Sequence, residues 1–131
     1  MALTTLDSKT ALVLIDLQHG IVAPPAVPRS GAEVVARGKE LADAFHGTDL
    51  DTQLRRRGIT QIVLAGLVTS RGVDTTAREA YAHNYSVAFA VDAMADRGIE
   101  VHENAIERIF PQIGQRATTG EILDVLAKTR G

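Results

Sequence analysis

Residues 61–84 read QIVLAGLVTSRGVDTTAREAYAHN, and the chain continues through 85–92 as YSVAFAVD. Gln61 to Leu64 is a short run of mostly branched apolar residues that ends in Ala65-Gly66, the pattern of a strand buried on both faces. Val73 to Asn84 has helical character, and Val87 to Val91 is a second apolar run, which stops at Asp92. Two buried strands separated by a helix imply a crossover, so the strands run parallel and the helix covers one face of the sheet.

The same alternation extends outward. Ala11 to Ile15 (ALVLI) is another buried strand, closed by Asp16. Pro24, Pro25 and Pro28 then exclude a helix and imply a loop across the top of the sheet. A helix is expected from about Gly31 to Phe45, with Val34, Val35, Leu41 and Phe45 on its apolar face, and another from an N-cap at Thr48 to a stop at Gly58. Further on, Glu100 to Ile109 reads as a helix, Arg116-Ala117 as a short edge strand, and Thr119 to Ala127 as a last helix capped at Thr118 or Thr119. The expected fold is one α/β domain over residues 1–131, a three-layer αβα sandwich around a parallel, Rossmann-like sheet. One step departs from the pattern. The helix 31–45 runs almost directly into the next, as if one strand were missing.

Composition narrows the function. The chain is 45% hydrophobic and 23% charged, as a folded globular domain is. A net charge of −2 gives no general attraction to nucleic acid or to an anionic membrane, and no apolar run approaches the roughly 18 residues of a membrane span. The start of the chain lacks a secretory pattern, so a cytoplasmic location is expected. There is no cysteine, which excludes disulfides, thiolate metal sites and a cysteine nucleophile in this chain. The four histidines share no ligand spacing and no phosphate-binding glycine fingerprint is present, so neither a metal nor a nucleotide cofactor is expected.

Ligands of parallel sheets sit beyond the carboxyl ends of the strands. Asp16, the segment Gly66 to Gly72, and Asp92 are therefore expected to converge. Asp16 reads either as a general base or as a loop-opening aspartate that binds backbone amides. Amides at the start of the Val73 helix would favour an anion, while the plainer reading is an ordinary strand–helix connection capped by Thr69 or Ser70. Arg55, Arg56 and Arg57 read as a solvated helix end, because no aromatic platform accompanies them. His102 and Glu103 read as helix surface.

Taken together, ALVLIDLQHGIV, the stretch from Ala44 to Ala95 and the closing HENAIERIFPQIGQRATTGEIL resemble the isochorismatase-like cysteine hydrolases. The resemblance is most specific over Gly47 to Ala80. It implies a site of aspartate, lysine and cysteine, in which the aspartate activates the thiol and the thiol attacks a carbonyl, imine or amide carbon. Asp16 matches the aspartate by its DLQxG context, and Gly72 stands where the cysteine belongs. Lys39 has the lysine's spacing to Ala44-Phe45, yet it also lies in a segment like the family's first helix, where it would be a surface residue. The resemblance further implies a non-proline cis peptide at Val68-Thr69, and a substrate lined by Gln18, Val68, Thr69, Ser70 and Arg71. The expected function is hydrolysis of a small amide, acyl or vinyl-ether substrate with weakened chemistry, or else binding of a small carboxylate by an inactive relative. A missing strand would leave apolar surface for a second copy to cover, so a homodimer or larger homo-oligomer is expected.

Overall fold

The computed structural model describes residues 3, 5–17, 22–45 and 58–130. Its elements are β1 (Thr10–Ile15), α1 (Gly31–Phe45), β2 (Gln61–Leu67), α2 (Asp74–Ala82), β3 (Ser86–Ala95), α3 (Ile99–Asn104), β4 (Gln115–Ala117) and α4 (Thr119–Arg130). The four strands form one parallel sheet in the order β1-β2-β3-β4. The expected Thr48 to Gly58 helix and Arg55, Arg56 and Arg57 lie outside the described residues, except for Gly58 itself.

The sheet is covered on both faces, which explains why its central strands read as continuous apolar runs. Every residue of β2 is buried. Its side chains alternate, Val63 and Ala65 packing toward Leu41 of α1 and toward Ile122 and Leu126 of α4. Ile62 and Leu64 pack on the other face with Val73, Ala77, Ala80, Phe89 and Phe110. Phe89 and Phe110 stack with ring centroids 3.9 Å apart, tying β3 to the turn that follows the α3 segment. β1 stands at the edge of the sheet, where Leu14 is 38% exposed.

Three boundaries differ from the sequence reading. β3 does not stop at Val91 but runs on to Ala95, because residues 90–93 bulge opposite the single residue Ala65 before pairing with β2 resumes at Met94. The segment from Thr69 to Val73 is a π turn, so α2 begins at Asp74 and ends at Ala82. The α3 segment likewise passes into a π turn at Ala105–Ile109. Thr118 caps α4 as expected: its amide donates to Glu121 Oε1 at 2.8 Å and its hydroxyl accepts the Glu121 amide at 3.2 Å.

Gly66 sets how closely β1 and β2 approach. Its φ is +125°, and a Cβ there would collide with the Ile15 carbonyl oxygen and lie 2.6 Å from the Ile15 nitrogen. Gly58 also has positive φ, +63°, but a Cβ there would meet nothing within 4 Å. In urea denaturation Gly66→Ala is expected to cost about 3 kcal/mol or more, since backbone strain and a clash with main chain add. Gly58→Ala is expected to cost about 1–2 kcal/mol from backbone strain alone. Equal costs for the two would contradict the close approach.

Candidate active site

Asp16 follows the last residue of β1, and its φ of +50° turns the chain out of the strand. Leu17, next in sequence, packs with Val22 and Ala26 against Val34, Leu67, Val68 and Ala95. Asp16 is thus held at the carboxyl edge by a small apolar cluster shared with the start of the β2–α2 turn. That turn carries Gly72. A Cβ at Gly72 would lie 3.0 Å from Asp16 Oδ2, 2.9 Å from Ile15 Cγ2 and 3.2 Å from the Leu67 carbonyl oxygen. The carboxylate and the side-chain-free position, 56 residues apart in sequence, therefore face one another. Asp16 is exposed, so this carboxylate keeps contact with water.

The turn differs from the expected bare helix tip. The Ser70 amide donates to Asp96 Oδ2 at 2.8 Å, and the amides of Arg71 and Val73 both donate to the Val68 carbonyl, at 3.0 and 3.2 Å. Those three amides are already engaged. Neither Thr69 nor Ser70 caps the turn with its side chain. The non-proline cis peptide joins Leu67 to Val68, one residue earlier than the resemblance implied, at the point where β2 ends its ladder with β3. Val68 and Thr69 are buried, Ser70 is half-buried and Arg71 is exposed, so Ser70 and Arg71 present the turn's accessible side chains. Gln18 lies outside the described residues.

Lys39 is exposed on α1. The buried stripe of that helix is Val34, Gly38 and Leu41, and Gly38 sits against Leu14 and Leu17. Leu14 and Ile15 point to opposite faces of the sheet, and it is Ile15 that borders Gly72. The structure thus sets Lys39 on the helix that covers Leu14, off its packed stripe, and does not join it to the Asp16–Gly72 pair.

Asp92 is not at the end of its strand. It lies in the β3 bulge, where Oδ1 accepts the Thr119 amide at 2.7 Å and the Thr119 hydroxyl at 2.8 Å, and its carbonyl accepts from Arg37 at 2.8 Å. It anchors α1 and α4. The aspartate at the carboxyl end of β3 is Asp96, one residue past the strand and 2% exposed. The apolar Ala93-Met94-Ala95 that continues the strand beyond Asp92 is the sequence signal for it.

His102 is buried rather than superficial, and its Nδ1 pairs with Thr69 Oγ1 at 2.8 Å. It opens a helical stripe that continues through Ala105, Ile106, Ile109 and Phe110, and that i, i+3, i+4, i+7, i+8 spacing could have revealed it. Glu103, by contrast, is exposed as expected. Among the described residues no group of three or more metal-ligating side chains converges.

A parallel α/β sheet whose carboxyl edge gathers an aspartate and a tight strand–helix turn places this chain among the α/β proteins with helices on both faces of the sheet. The family model of the Isochorismatase domain matches residues 22–121. The chain belongs to the isochorismatase family. It is 53% identical over 81 residues to an uncharacterized isochorismatase family protein, YwoC, of Bacillus subtilis, a match that covers 62% of this chain and 43% of that protein. The chain spans less than half the length of the curated relatives it matches. An isochorismatase family protein of Burkholderia thailandensis superimposes with a TM-score of 0.87 at 34% identity, covering 97% of this chain and 98% of that one. The YcaC gene product of Escherichia coli, an octameric hydrolase of unknown specificity, shares the fold at 19% identity with a TM-score of 0.75, covering 98% and 84% of the two chains.

Burial holds the His102 imidazole below its ordinary pKa of 6.5; the Arg29 guanidinium adds to this, while Asp96 and Glu103 oppose it. The folded state therefore prefers neutral His102. Its contribution to stability is full above the unfolded value and is lost as pH falls through the lower folded value. Urea midpoints taken between pH 7 and pH 5 should fall more steeply for the parent chain than for His102→Asn. Parallel profiles would contradict a buried, neutral imidazole.

Proposed function

We propose that this chain is an isochorismatase-like hydrolase of a small amide, acyl or vinyl-ether substrate that works without a covalent enzyme intermediate. The observation that carries the reading is the 3.0 Å between Asp16 Oδ2 and the place a Gly72 Cβ would occupy. A side chain at Gly72 would crowd Ile15, the Asp16 carboxylate and the Leu67 carbonyl, so in this reading the exposed Asp16 carboxylate meets water and not a thiol. Asp16 takes a proton from a water molecule at its exposed carboxylate as the water oxygen attacks the substrate carbonyl carbon. The carbon–heteroatom bond then breaks, and the proton passes to the leaving group. A vinyl ether needs the reverse. The carboxylic acid protonates the terminal alkene carbon, and water adds to the resulting oxocarbenium carbon and returns a proton to the carboxylate. The hemiketal then breaks its carbon–oxygen bond to release an alcohol and a carbonyl product. Ser70 and Arg71 are the side chains of the turn proposed to meet the substrate, with Val68 and Thr69 shaping the turn from behind. Without a thiol, and with Lys39 on the opposite helix, turnover is expected to be slow.

A second reading is a silent relative that binds a small carboxylate. The engaged amides of Ser70, Arg71 and Val73 leave fewer donors for a developing oxyanion, which favours an inactive relative, and a bound carboxylate would be met by the exposed Arg71 instead. Thermal-shift screening with small amides, esters and carboxylates, followed by assay of each ligand found, separates the two. Slow product release that Asp16→Asn reduces at least tenfold supports the hydrolase. Turnover unchanged by Asp16→Asn rejects it, and binding without turnover supports the second reading.

The chain is further proposed to work as a homodimer or larger homo-oligomer. β1 is an edge strand with an exposed Leu14, and the octameric relative YcaC shares the fold. Light scattering on the purified chain should give a mass of at least twice 14.0 kDa. A monomer across the micromolar range would remove this proposal.

A further inference from the structure

Asp96 is buried, and its carboxylate and main chain bond to two other segments and to the next residue of its own. Oδ2 accepts the Ser70 amide at 2.8 Å and Oδ1 accepts the Arg97 amide at 2.7 Å. Its own amide donates to the Val27 carbonyl at 2.7 Å, and its carbonyl accepts the Val27 amide at 2.8 Å. The next residue, Arg97, reaches the carbonyls of Pro24 and Pro25 at 3.2 Å each. One aspartate thus joins the end of β3, the proline-rich loop after β1 and the turn that carries Gly72. A carboxylate this deeply buried is costly unless each oxygen is bonded, and here both are. Ser70 lies two residues before Gly72 within the same five-residue π turn, so fixing the Ser70 amide fixes the Gly72 backbone.

We infer that Asp96 is the positioning residue of the site: through the Ser70 amide it holds Gly72 against Asp16, without itself reaching the substrate. The inference rests on the reading above that Asp16 and Gly72 share one pocket.

The chain has no cysteine, so the Gly72→Cys variant carries a single thiol whose alkylation by iodoacetamide can be followed against pH. A neighbouring carboxylate disfavours the thiolate. Adding Asp16→Asn to Gly72→Cys should therefore lower the alkylation midpoint, by about half a pH unit or more. The test is whether that Asp16-dependent shift survives a second change, which cancels any direct field of Asp96. With Asp96→Asn also present, the shift should shrink to less than half. With Asp92→Ala, which instead loosens α4, it should persist at full size even though stability falls. A full-sized shift in the Asp96→Asn background overturns the inference and leaves the pocket intact. No shift in Gly72→Cys itself overturns the pocket. Should Asp96→Asn not fold, hydrogen exchange in the parent chain decides: a Ser70 amide slowed at least a hundredfold relative to a free peptide supports the inference, and exchange at the free-peptide rate overturns it.

Discussion

The close approach of β1 and β2 at Gly66 is the constraint on which the site depends. No side chain fits between Gly66 and the backbone of Ile15, and the positive φ at Gly66 suits glycine. The six-residue register of β1 against β2 runs from Thr10 opposite Gln61 to Ile15 opposite Gly66. Both strands therefore end at nearly the same height. Asp16 leaves β1 just where Leu67 and Val68 leave β2, and the turn folds Gly72 back over Ile15. A register one residue different would invert the faces of β1 and carry Asp16 away from the turn.

Above that junction the polar groups act mainly as fasteners. Asp96 ties the turn and the proline-rich loop to β3, and His102 meets Thr69 from α3. Arg29 donates to the carbonyls of Met94 and Val91 at 2.6 and 3.2 Å, pinning the loop to the bulged part of β3. The bulge explains the division of labour between two nearby aspartates. Asp92 sits within it and binds the helices, while Asp96 lies beyond it and binds the turn that carries Gly72.

Much of this was legible in the sequence. The apolar runs at Ala11 to Ile15 and Gln61 to Leu64 gave strands because buried parallel strands need no alternation. The helix Gly31–Phe45 followed from its apolar face and its position after three prolines. Asp16 and Gly72 were both named for the site from the resemblance, and the structure sets them face to face. What stayed hidden depends on distant pairing. The β3 bulge exists only against Ala65, so local sequence placed the strand end at Asp92 and overlooked Asp96. His102 was read as surface because its neighbours Val101 and Glu103 are indeed exposed, and only the helical stripe separates them. Lys39 matched a spacing, but spacing does not specify which face of the sheet a helix covers.

The central claim is that a carboxylate and a glycine in the place of a nucleophile share one cleft. The most direct measurement is the Gly72 amide resonance followed by NMR through acid pH, in the parent chain and in Asp16→Asn. Proximity predicts a pH-dependent shift of that resonance in the parent chain and its disappearance in the variant. A Gly72 resonance that titrates identically in both proteins would contradict the account.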